Sequence, residues 1–105
     1  MSNRLIPFDD LEEKLLRDHP EEIDDYIRML FEEYEKDGDV PALLSSLRVI
    51  GRVKGISKIA SETGLSRFGV QKTLSKEGNP TLTNLNAIMQ AMGYRLRLTP
   101  EKLHA

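Results

Sequence analysis

With 105 residues, no cysteine and a formal net charge of −2, the chain has the size of one domain with one modest core. The missing cysteine excludes disulfides, cysteine-ligated zinc and thiol nucleophiles, and no stretch approaches the roughly 18 apolar residues of a membrane span. The opening MSNRLIPFDD lacks the apolar run of a secretory signal, so a soluble cytoplasmic protein without a membrane partner is expected.

In FDDLEEKLLR, Phe8, Leu11 and Leu15 stand at i, i+3 and i+7, one apolar face of a short helix. Pro20 then suits a first helical turn. Behind it Ile23, Tyr26, Ile27, Leu30 and Tyr34 recur with the strongest helical period in the chain, up to Gly38, which suits a left-handed cap. A third helix starts in DVPALLSSLRVIGRVKG, with Asp39 as cap, Pro41 in its first turn, Leu43, Leu47 and Ile50 inward, and Gly55 as its end. Ser57 is expected to cap KIASET, which stops at Gly64, and Ser66 to cap RFGVQKTLSKE, which stops at Gly78. Thr81 caps the last helix, where Leu82, Leu85, Ile88, Met89 and Met92 face inward before Gly93. In YRLRL, Tyr94, Leu96 and Leu98 alternate with Arg95 and Arg97, the period of a strand. A lone strand needs a partner edge. Either the same segment of a second subunit supplies it, giving a homodimer through Tyr94, Leu96 and Leu98, or the strand docks on the chain's own helices.

The net charge conceals a division. Residues 1–40 carry five Lys or Arg against fourteen Asp or Glu, whereas residues 41–105 carry ten against three. Two surfaces of opposite electrostatic preference follow: an acidic helical segment, 1–39, and a basic remainder, 40–105.

Within that remainder two very short helices are separated by a turn at Gly64. Steep crossing there needs a residue able to take positive φ and a small side chain at the close approach, and Gly64 and Ala60 provide them. Ile59, Leu65, Val70 and Leu74 are the inward positions of this helix-turn-helix spacing. Arg67, Phe68, Gln71, Lys72 and Ser75 then face outward on the second helix. In a major groove Arg67 and Gln71 have the bidentate geometry to read guanine and adenine. Phe68 either touches a thymine methyl or packs as a staple. Lys58, Lys72, Ser57 and Ser66 fit phosphate contacts, and Asn79 and Thr81 stand where a further phosphate meets the next helix start.

The run SKIASETGLSRFGVQKTLSKEGNPTLTNLNAIMQAMGYRLRL resembles the helix-turn-helix core of the addiction-module antidote proteins, the HigA-like antitoxins related to Xre and Cro-type repressors. The acidic stretch ahead of it is similar to that family's N-terminal segment. This resemblance implies an all-α fold: a small helical bundle with a Cro/phage-repressor-like helix-turn-helix, here with acidic N-terminal helices and a short C-terminal β-strand. It further implies a homodimer, operator DNA as one partner, and a basic RelE/ParE-like toxin as another. The acidic segment is the natural surface for such a toxin, with Leu11, Leu15, Ile23, Tyr26, Ile27, Leu30 and Tyr34 as its apolar stripe and Asp24, Asp25, Glu32 and Glu33 as steering carboxylates; the competing reading is that the stripe packs on the protein's own core, and some of it must. Phe68-Gly69 and Gln71 depart from the common pattern, so the operator preference does not transfer.

Nothing in the sequence assembles a catalytic set. His19 and His104 have no helical ligand partner at metal spacing, GRVKG lacks the context of a phosphate loop, and no enzyme activity, cofactor or metal is expected. Two other readings remain beside the antitoxin: a free-standing phage-type repressor, and a protein-interaction adaptor whose helix-turn-helix has lost DNA binding.

Overall fold

The computed structural model describes residues 8–104. Among them lie six α-helices: α1 Phe8–Asp18, α2 Ile23–Asp37, α3 Val40–Lys54, α4 Ile56–Thr63, α5 Arg67–Thr73 and α6 Leu82–Ala91. A single 3-10 turn, Pro20–Glu22, precedes α2, because Pro20 fixes φ but offers no amide to a longer ladder.

Side-chain caps start three of the helices. Asp39 Oδ1 accepts from the Ala42 amide at 3.0 Å, Ser66 Oγ from Gly69 at 2.8 Å, and Thr81 Oγ1 from Asn84 at 3.0 Å, each satisfying an amide that the helix itself leaves unpaired. Ser57 does not cap α4. The Gly55 amide closes α3 on the Gly51 carbonyl at 2.8 Å, and the Gly55 carbonyl opens α4 by accepting from Ile59 at 3.1 Å. The two helices therefore abut at one residue, and Ser57 falls inside α4, exposed. The helix that begins at Arg67 is also shorter than the sequence predicts, ending at Thr73 rather than Gly78. The chain folds back there so closely that a Cβ on Gly78 would lie 2.1 Å from the Thr73 carbonyl oxygen, room for a glycine alone.

α3 is the axis of the molecule. Leu44, Leu47, Val49 and Ile50 are buried along it; α1, α2 and α4 pack on α3, while α5 and α6 pack on α4. One continuous core runs from Leu16 to Met92, so the change of charge near residue 39 is not a break in packing. α1 is anchored by Leu16, 5% exposed, while Leu11 and Leu15 are 40% and 52% exposed. Phe8, part of the sequence-predicted stripe, is described by its backbone alone.

The expected C-terminal strand is not formed. No β-strand occurs among the described residues, and the segment after α6 is irregular. The physical reason is the one that made the strand conditional: its amides and carbonyls need an edge, and the helical body offers none. Tyr94 and Leu96 instead pack half-buried against the helical core, and Leu98 remains 69% exposed.

Candidate functional site

The turn between α4 and α5 is built by its own residues. Gly64 takes φ 80°, in the left-handed region, and its amide donates to the Ala60 carbonyl at 3.0 Å. Thr63 Oγ1 donates to the Ile59 carbonyl at 2.8 Å and accepts from the Leu65 amide at 3.3 Å. Ile59, Val70 and Leu74 are fully buried, Ala60 nearly so, and Leu65 is packed against them. α5 is thereby fixed on α4 with one face inward, and its orientation rests on packing rather than on its seven residues of helix.

On the outer face Arg67 and Lys72 are exposed. Phe68 is 75% exposed, so it is no staple. Gln71 and Ser75 are half-buried; the Gln71 Oε1 atom has no hydrogen-bond partner among the described residues, whereas Ser75 Oγ donates to the Lys72 carbonyl at 2.7 Å. Ser57 and Lys58 are exposed on α4, and Asn79 and Thr81 at the start of α6. The Ser66 and Thr81 oxygens already serve as caps. Arg67, Phe68 and Gln71 share an open depression of about 520 Å³ with Arg48 and Arg52 of α3. Those two arginines escaped the sequence reading, although their i, i+4 spacing puts them on one face of α3.

On the acidic side the apolar stripe divides between core and surface. Ile23, Ile27 and Leu30 are core residues, 3%, 7% and 9% exposed, and Tyr26 is half-buried. The apolar period of α2 is the face that packs on α3 and is spent there. Leu11, Leu15 and Tyr34 remain exposed, together with Met29, which the stripe did not include. Asp24, Asp25, Glu32 and Glu33 all face solvent. Asp25 pairs with Arg28 at 2.7 Å and Glu33 with Lys36 at 3.7 Å. Asp24 accepts the hydroxyl of Tyr94, and Glu12 that of Tyr26 at 2.6 Å. Burial, then the carboxylate partner, pushes both phenols well above the ordinary tyrosine range, and their donated hydrogen bonds tie α1 and the C-terminal segment to α2.

Over residues 6–100 the chain matches a family described as "Probable addiction module antidote protein". The chain belongs to that family. A relative from Haemophilus influenzae, described as "Uncharacterized protein", is 33% identical over 72 residues, 69% of this chain and 74% of its own length. No solved structure matches the chain.

The matched stretch of this antidote takes in the acidic α1 and α2 as well as the basic α4 and α5. No described helix is long and apolar enough to cross a membrane. The antidote also has an apolar groove of about 440 Å³ between α2, α3, α6 and the C-terminal segment, with Phe31, Leu43, Leu85, Leu96 and Leu98 in its walls. The 3-10 turn and the residue before it gather one further group: the donor atoms of His19, Glu21 and Glu22 lie within 4.8 Å of one another. All three are exposed, and a backbone hydrogen bond, then His19, lowers the Glu21 carboxyl below its usual range. The cluster is accounted for as a solvated turn.

Proposed function

We propose that this antidote is the HigA-like antitoxin of a type II toxin–antitoxin module. It neutralises a basic RelE/ParE-like toxin through its acidic N-terminal helices, and it represses its own operon by binding operator DNA through α4 and α5, used as a Cro-like helix-turn-helix. It works in the cytoplasm, as a homodimer joined near Tyr94, Leu96 and Leu98, and it acts by binding, without catalysis.

The DNA reading is carried by one observation: a helix fixed by Val70 and Leu74 presents Arg67, Phe68 and Lys72 outward, with Gln71 half-buried among them, beside two further arginines. Arg67 and Gln71 read base edges. Lys58, Lys72, Ser57, Ser66 and Ser75 surround them with phosphate-positioning groups, and Asn79 and Thr81 extend that row to the start of α6. Membership in the antidote family supports the toxin half. Leu11, Leu15, Met29 and Tyr34 supply exposed apolar contacts, and Asp24, Asp25, Glu32 and Glu33 steer a basic partner into place.

The toxin half is tested by replacing Asp24, Asp25, Glu32 and Glu33 with Lys and timing capture of the small basic protein encoded beside this gene. At low salt the association rate is expected to fall by about tenfold or more, with DNA binding kept. An association rate equal to wild type would remove the acidic face of α2 from the interface.

A further inference from the structure

We infer that Arg48 and Arg52 are additional phosphate-binding residues, and that α1 holds them in reserve: Asp9 and Glu13 occupy the same cations that a nucleic-acid backbone would take. The inference rests on the DNA-binding reading of α5 and adds a second helix and a control element to it.

Arg48 and Arg52 line one depression with Arg67, Phe68 and Gln71, so a duplex seated on α5 meets them along its backbone. Their side chains are 23% and 30% exposed, within reach of a ligand yet partly shielded from water. Each faces one carboxylate of α1. Arg48 Nη2 lies 3.6 Å from Asp9 Oδ2, and Arg52 Nη1 lies 3.8 Å from Glu13 Oε1. These separations neutralise charge but exceed hydrogen-bond length. The other Glu13 oxygen is engaged by Arg17, at 2.7 Å. Arg48 Nε is buried with no hydrogen-bond partner among the described residues.

A guanidinium has five donors in a planar fork that matches two oxygens of a phosphate. Here it is paired electrostatically, and among the described residues its donors make no hydrogen bond. A phosphate entering the depression completes those hydrogen bonds, but it is repelled by Asp9 and Glu13 for as long as α1 keeps its seat. Half-exposed ion pairs are individually weak, so the exchange is open to small changes in α1. That seat is set by Leu16 in the core and by Arg17 Nη2, which donates to the Arg52 carbonyl at 3.0 Å. Anything that draws α1 away, a protein bound to Leu11 and Leu15 included, uncovers two cations beside the reading helix.

The test compares duplex DNA affinity across a salt series for the wild type, Asp9→Asn/Glu13→Gln, and Asp10→Asn/Asp18→Asn. Both doubles remove the same charge from α1, but Asp10 and Asp18 form no pair with α3. Freeing two phosphate-binding cations should raise affinity and steepen the log K against log salt slope by about two units, at roughly 0.9 per phosphate. Asp9→Asn alone, which spares the Glu13–Arg17 bond, should give about one unit. Adding Arg48→Gln/Arg52→Gln to the first double should return the slope to wild type. A slope unchanged in Asp9→Asn/Glu13→Gln, or an equal rise in Asp10→Asn/Asp18→Asn, would overturn the inference. Arg67→Ala in the same series separates the two levels. If it weakens DNA binding while the α1 double changes nothing, α5 reads DNA without the reserve. If it is silent while the α1 double binds more steeply, the reserve stands and the role of α5 falls; no binding by any variant overturns both.

Discussion

Truncation of Leu74 to alanine is expected to destabilise the protein by about 2–5 kcal/mol, the range for emptying a fully buried leucine site. Leu74 lies just beyond α5 and is fully buried. Its Cδ1 passes over the bare backbone of Gly51 in α3, 3.6 Å from where a Cβ would stand, beside Ile56 and Ile59 of α4. One side chain thus joins three helices, and α5 is too short to hold itself helical without that contact. Denaturant unfolding should show a lower midpoint at an unchanged slope. Leu74→Met, which conserves volume, should cost less than about 1.5 kcal/mol. A loss below about 1 kcal/mol on truncation to alanine would mean that α5 is held by other contacts, since a cavity of that size cannot be so cheap.

Removing Arg67 tests the reading itself. Arg67→Ala should weaken operator binding by about 1–3 kcal/mol and relax preference at one base pair, with a much smaller change on random DNA. Arg67 is exposed at the start of α5, so its loss should leave folding intact, and toxin capture, assigned to α1 and α2, should not change. Gln71→Ala should behave alike with a smaller folding margin, because the Gln71 amide is partly enclosed and its oxygen has no partner among the described residues. Equal losses on operator and random DNA for both variants would recast them as backbone contacts. Competition titrations on the two DNAs distinguish the cases.

The parts that were legible in the sequence are those governed by local chemistry. Asp39, Ser66 and Thr81 announce helix starts because a side-chain oxygen three residues before an unpaired amide makes a cap wherever the fold puts it. Ser57 has the same chemistry but misleads, since α3 runs on until only Gly55 separates it from α4. The turn at Gly64 and the inward set Ile59, Val70 and Leu74 were readable because glycine and apolar spacing together fix one arrangement of two short helices. Neighbours are harder to read than periods. The α2 stripe declares a buried face without saying whose surface buries it, and Ile23, Ile27 and Leu30 turn out to serve the chain's own α3. In α1 the adjacent leucines allow two faces, and packing chooses Leu16 over Leu11 and Leu15. The alternation in YRLRL describes side chains, whereas strand formation depends on an edge that one copy does not offer. Arg48 and Arg52 join Arg67 only through the tertiary fold.

In the function proposed, the basic face around α5 binds the DNA of the protein's own operon, and this binding is coupled to its partner. The most direct measurement is titration of the purified protein onto DNA from upstream of its gene, alone and with the neighbouring gene product, at two salt concentrations. Tight binding that falls steeply with salt and changes when the neighbour is added is the predicted result. Absence of binding at both salt concentrations would contradict it and reduce α5 to a packing element of the fold.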